Sequence, residues 1–146
     1  MIEMKWVGLI MLIVTIWLAI KSNQLKDALV SFIVGSLYGF SLDVVVGSYM
    51  GTWSYVHPIW SFRYFLLVVP GWGIFGMTIN IIWNIMKNKP WMVLLNITAG
   101  LIVLLEGVNF LTKTWTYYVP LWIMVIGWFP LVLTYRLLHL LCLTKR

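Results

Sequence analysis

Five apolar runs, each long enough to cross a lipid bilayer, decide what this chain can fold into. They cover residues 4–20, 27–50, 64–86, 91–111 and 118–141. A membrane span needs ~20 predominantly apolar residues. Hydrocarbon offers no partner to a free N–H or C=O, so each run is expected to be an α-helix. Only 10% of the 146 residues are charged and 62% are hydrophobic, whereas a soluble domain carries about 25% charged residues. The expectation is an all-α integral membrane bundle of five transmembrane helices forming one transmembrane domain over residues 1–146. The first run lacks a basic leader and a small-residue cleavage site, so it reads as a retained span.

The breaks between runs carry the charge. KSNQLK separates the first two, followed in order by GTWSYVHPIWSFR, KNKP and TKTWT. Five spans put the first break, the third break and the C-terminus on one side, with Lys21, Lys26, Lys87, Lys89, Lys145 and Arg146, and Arg136 close by. The other side holds Lys5, Arg63 and Lys113. Basic residues favour the cytoplasm, so the N-terminus is expected outside, the C-terminus inside, and the membrane to be the cytoplasmic one. The net charge of +6 is gathered at span ends, which fits anchoring against membrane lipid rather than nucleic-acid binding.

A weak repeat runs through the last four spans. The stretch LDVVVGSYMGTWSY places Asp43 ten residues before Trp53, and LEGVNFLTKTWTYY places Glu106 nine residues before Trp115. Each acid is followed by an aromatic loop, a proline and a Gly-Trp pair. In the first copy these are Asp43, Trp53, Tyr55, Pro58 and Gly71-Trp72. In the second they are Glu106, Trp115, Tyr117, Pro120 and Gly127-Trp128. Two similar hairpins of the same orientation imply a symmetry axis along the membrane normal.

Ser31, Gly35, Gly39, Asp43, Gly47 and Gly51 recur every four residues. On a helix this makes one slowly winding stripe of small residues around an acid, and Gly35 to Gly39 is a GxxxG contact motif. Helix packing accounts for the glycines but not for the aspartate. An acid at mid-bilayer costs roughly 2.5–3.5 kcal/mol on insertion scales, so Asp43 and Glu106 need a reason. Three are open. The acids could pair with Arg63 and Lys113, or bond as neutral acids to Asn80, Asn84, Asn109 or the tyrosines, or line a ligand cavity. In apolar surroundings a carboxyl can serve as a proton donor. Most tryptophans fall at span ends, as an interfacial belt would place them; Trp72, Trp122 and Trp128 lie deeper. Arg136 is expected to snorkel to lipid phosphates, and Pro70 and Pro130 to kink their helices.

The order Asp43, Gly51, Trp53, Tyr55, then Pro70 in the next helix, resembles the lycopene cyclase domain family and the related carotenoid hydratases. The second copy offers Glu106, Trp115, Tyr117 and Pro130 less completely. The resemblance implies repeated membrane hairpins, a carotenoid-like isoprenoid substrate, and proton-assisted chemistry at its double bonds. The family carries paired glutamates after the proline, whereas this chain reads PGWGIFGM. Either Asp43 and Glu106 take their place or nothing is cyclised.

The reading is thus a protein that binds or modifies an apolar lipid or isoprenoid in an intramembrane cavity. Asp43 and Glu106 are its candidate catalytic acids or polar anchors. Trp53, Tyr55, Trp72, Asn80, Trp115, Tyr117 and Trp128 are the candidate ligand-binding residues, and Gly35, Gly39 and Gly47 pack the helix. The rival readings are a non-enzymatic subunit or homo-oligomer joined through the glycine stripe in a membrane complex, and a proton-coupled transporter element. No cofactor is implied. The single Cys142 and the absence of ligand spacing leave no metal site, and no hydrolase or nucleotide-binding motif is present.

Overall fold

The computed structural model describes residues 4–86 and 90–144; Lys87, Lys89, Lys145 and Arg146, used in the charge count, lie outside them. The chain is all-α, with five helices. They are α1 (Met4–Lys21), α2 (Leu25–Leu42), α3 (Phe62–Ile85), α4 (Pro90–Thr112) and α5 (Leu121–Thr144). A π-helical segment, Asp43–Tyr49, prolongs α2, and two short strands, β1 (Trp53–Tyr55) and β2 (Trp115–Tyr117), follow α2 and α4. Among the described residues four stretches are long and apolar enough to cross a membrane: Leu25–Tyr49, Phe62–Ile85, Trp91–Thr112 and Leu121–Cys142. The protein is a multi-pass helical membrane protein. The fifth helix starts at Leu121 rather than 118, because residues up to Tyr117 are drawn into β2 and Pro120 precedes the helix.

The glycine stripe is used inside the chain. A Cβ on Gly35 would stand 2.8 Å from the Trp72 carbonyl oxygen and 3.2 Å from the Gly76 Cα, so α2 and α3 meet backbone to backbone. Ser31, Gly35, Gly39, Asp43 and Gly47 are all buried. On an unbroken α-helix a four-residue stripe drifts steadily round the axis. The wider π turn from Asp43 winds less per residue, and it keeps Gly47 on the face that Gly39 occupies. The opposite face of α2, with Leu29, Ile33 and Leu37, is exposed, as a lipid-facing surface should be. The main core lies between α3, α4 and α5, around Phe75, Ile79, Val93, Ile97, Trp128 and Val132.

The two aromatic loops pair with each other. β1 and β2 are antiparallel, with Trp53 opposite Tyr117, Ser54 opposite Thr116 and Tyr55 opposite Trp115. The flanking bonds repeat the symmetry. Val56 N–H donates to the Thr114 carbonyl at 2.9 Å, and Tyr118 N–H donates to the Thr52 carbonyl at 2.9 Å. Gly51 (φ 65°) and Lys113 (φ 54°) occupy the same left-handed position two residues before each strand. A local two-fold axis therefore passes between Ser54 and Thr116. The one-residue difference between the acid-to-Trp spacings matches the π segment, which accommodates one extra residue in the first copy.

At the other end of the bundle polar groups turn inward. Arg136 is only 9% exposed; its Nη2 donates to Asn84 Oδ1 at 2.8 Å, and Asn84 Nδ2 donates to Gln24 Oε1 at 2.9 Å. The expected snorkelling is thus replaced by a buried network, since α2 and α3 supply amide partners that lipid phosphate would otherwise provide. Trp6, Trp17, Trp60 and Trp91 are exposed, and so is Trp122, which the sequence placed deeper.

Candidate functional site

Asp43 is fully buried and its carboxylate accepts four hydrogen bonds. Trp53 Nε1 and Tyr55 OH donate to Oδ1, each at 3.0 Å. Tyr64 OH and Trp72 Nε1 donate to Oδ2 at 2.7 and 2.8 Å. Each of these donors is placed by a local device. Gly39 and Gly47 stand one turn before and one turn after Asp43. A Cβ on Gly39 would overlap the Trp72 indole, and one on Gly47 would lie 2.9 Å from the Trp53 indole nitrogen. The two glycines are the slots through which the two indoles reach the acid. Tyr64 is set by Ser61, which caps α3 by accepting from the Tyr64 backbone N–H at 3.2 Å, as Ser at a helix N-terminus commonly does. Tyr55 comes from β1, whose alternation turns Trp53 and Tyr55 to one side and Ser54 to the other.

All four donors to Asp43 are neutral. Its charge is balanced by hydrogen bonds, not by Arg63. The Lys113 ammonium lies 4.8 Å from the centre of the Phe110 ring. The second acid is held more lightly: Tyr117 OH donates to Glu106 Oε1 at 2.6 Å, the counterpart of the Tyr55–Asp43 bond. Both loop tyrosines have their ionisation pushed upward. Burial is the main cause in each, followed by the Asp43 charge for Tyr55 and the hydrogen bond to Glu106 for Tyr117.

A cavity of about 770 Å³ opens between the two hairpins. Trp53, Tyr55, Trp72, Trp115, Tyr117 and Trp128, the aromatic residues singled out in the sequence, all line it. Phe75 and Gly71 of α3 and part of α1 also contribute. The two Gly-Trp tryptophans meet, with Trp72 and Trp128 ring centres 6.2 Å apart, and so do Tyr55 and Trp115 at 6.4 Å. Neither acid lines the cavity itself; Asp43 holds Trp53, Tyr55 and Trp72 of its wall, and Glu106 holds Tyr117. Asn80 does not line it either. It is fully buried elsewhere in α3, with both amide atoms unpartnered among the described residues. Among the described residues no group of three His, Cys, Asp or Glu side chains could hold a metal ion.

Tyr64 was not singled out in the sequence, where it reads as a residue of the outer membrane edge. Its signal was the Ser61–Tyr64 capping spacing, which fixes the first turn of α3 beside the aspartate. No protein-family model, curated protein or solved structure matches this chain.

Proposed function

We propose that the protein holds an apolar lipid or isoprenoid molecule in the cavity between its two hairpins. The observation that carries this reading is the cavity itself, about 770 Å³ and within the ~300–1,000 Å³ of ligand sites. Three of its six aromatic walls, Trp53, Tyr55 and Trp72, are held by the buried Asp43 carboxylate and a fourth, Tyr117, by Glu106, rather than left to repack. Rigid aromatic walls backed by hydrogen-bonded partners are how a preorganised pocket is built. The isoprenoid, carotenoid-like class follows the resemblance carried by Asp43, Gly51, Trp53, Tyr55 and Pro70.

Asp43 acts here as the anchor of the wall. Both of its oxygens already accept two hydrogen bonds, and a ligand cannot reach it without displacing Trp53, Tyr55 or Trp72. Aromatic faces around the cavity would also stabilise a cation formed on a polyene, which is the route by which this site could extend from binding to modification. With the basic residues counted cytoplasmic, the cavity and the paired strands lie in the outer half of the membrane.

The direct test is to purify the protein in mild detergent, extract what it carries and identify it by mass spectrometry, alongside its visible and ultraviolet absorption. A single apolar lipid or isoprenoid in near-stoichiometric amount is expected. Bulk phospholipid alone, in proportion to the membrane of origin, would overturn the reading.

A further inference from the structure

The two-fold relation between the hairpins makes the first half a template for the second. Around Asp43 the template is complete: two indole N–H groups and two phenols converge on one carboxylate. In the second half the acid and the loop tyrosine are joined in the same way, through Tyr117 and Glu106. The indoles are not. Trp115 and Trp128 correspond to Trp53 and Trp72, and the nitrogens of both are buried with no hydrogen-bond partner among the described residues. The counterpart of Tyr64, eight residues before the Gly-Trp tryptophan, is Pro120, so one donor is missing altogether. The Trp115 N–H is close enough to the Tyr117 hydroxyl to favour its ionised form, yet no well-formed hydrogen bond joins them. Trp128 is 7% exposed, and Trp115, Tyr117 and Trp128 all line the same cavity. Buried indole N–H groups nearly always find an acceptor.

We propose that the Glu106 half-site binds the polar end of the cavity's ligand, and that this end is an uncharged hydroxyl on a long apolar chain. The inference rests on the lipid-binding reading above. A hydroxyl both accepts and donates, so it can take the indole N–H groups of Trp115 and Trp128 on its two lone pairs and give its own hydrogen to the phenol oxygen of Tyr117, which lines the cavity and is itself held by Glu106. A hydrocarbon would leave both indoles unpaired. A carboxylate or phosphate would bring a second negative charge against Glu106 in low-dielectric surroundings. An amine would suit Glu106 but leave the indoles unsatisfied. The asymmetry between the halves then has a purpose: the first is sealed by its own side chains, and the second is completed by the ligand.

The test uses the full chain in detergent micelles or nanodiscs and reads tryptophan fluorescence as probe is added. The probes share one chain length: a prenol, a straight-chain alcohol, the matching carboxylic acid and the matching hydrocarbon. Both alcohols are expected to bind at least about tenfold more tightly than the acid and the hydrocarbon, the worth of one or two satisfied hydrogen bonds. The prenol and the straight-chain alcohol separate an isoprenoid source from an acyl-lipid one. Trp128→Phe, and independently Trp115→Phe, should reduce the preference for alcohol, and the double variant should erase it, while hydrocarbon binding stays in place. Equal binding of alcohol, acid and hydrocarbon overturns this proposal but leaves the lipid cavity standing, and so does a preference for the acid. Binding of no probe overturns both.

Discussion

At the scale of the residue, Asp43 decides the geometry of half the molecule. Asparagine there would keep one acceptor oxygen and turn an N–H₂ donor toward groups that are themselves donors. Asp43→Asn is expected to lower stability by about 3 kcal/mol, since several charge-assisted bonds to a buried acceptor are lost at once. Thermal unfolding in detergent, followed by intrinsic fluorescence, measures it; an unchanged melting curve would remove the anchor role. Glu106→Gln keeps an acceptor for Tyr117 and should cost less than about 1 kcal/mol. The tyrosines give a pH dependence with a definite sign. Their folded-state ionisation lies above the ordinary value of 10.0. Their contribution is therefore complete below pH 10 and is lost as pH rises beyond it, because only the unfolded chain releases those protons first. Tyr117→Phe should flatten the fall in melting temperature above pH 10. A tyrosine partner for Asp43 was among the alternatives the sequence left open, whereas the indole donors Trp53 and Trp72 read there only as cavity walls, because an acid in an apolar stripe demands donors without naming them. Tyr64 was not, because its role depends on where Ser61 starts a helix.

At the scale of the element, the stripe of α2 was legible as a packing surface, but its partner was not. Small residues at four-residue spacing say that a helix comes close without saying which one. The partner is α3 of the same chain, and the indoles seated on Gly39 and Gly47 make the contact specific. Gly39→Leu is therefore expected to expel Trp72 from Asp43 and destabilise the isolated protein, measurable as lost fluorescence-monitored unfolding cooperativity at any protein concentration. Were the stripe an interface between copies, the same change would only shift the oligomer on size exclusion. The pairing of β1 with β2 was invisible in sequence, since three-residue strands carry no periodicity and hold only through what surrounds them. Ser54→Cys with Thr116→Cys, in a Cys142→Ser background, should close an intrachain disulfide under mild oxidation, because residues opposite each other in such a pair lie at about the Cα spacing a disulfide needs. A mobility shift on a non-reducing gel reports it, and its absence would mean that the hairpins do not meet there.

At the scale of the whole molecule, the cavity belongs to both hairpins and to neither alone. It was legible as a product of two aromatic repeats, whereas its volume and its contribution from α1 follow from packing that no local pattern encodes.

 Gly71 borders the cavity, and a Cβ there would meet nothing within 4 Å, so Gly71→Leu should fill space without disturbing the fold. The expected result is an unchanged or slightly raised melting temperature together with loss of the co-purifying lipid. Retention of that lipid in full would place it elsewhere on the surface.

The ribbon made by β1 and β2 has a further consequence for traffic. It ties the two loops together across one end of the cavity, with paired backbone and the polar Ser54 and Thr116 turned away from the aromatic side. A greasy molecule approaching from water would have to part that ribbon and strip its own hydration at the same step. One already dissolved in the bilayer need only slide between helices. Loading would then be governed by concentration within the membrane leaflet rather than in the surrounding solution, and the protein would sample its neighbours sideways, as a berth along a quay rather than a well with an open top.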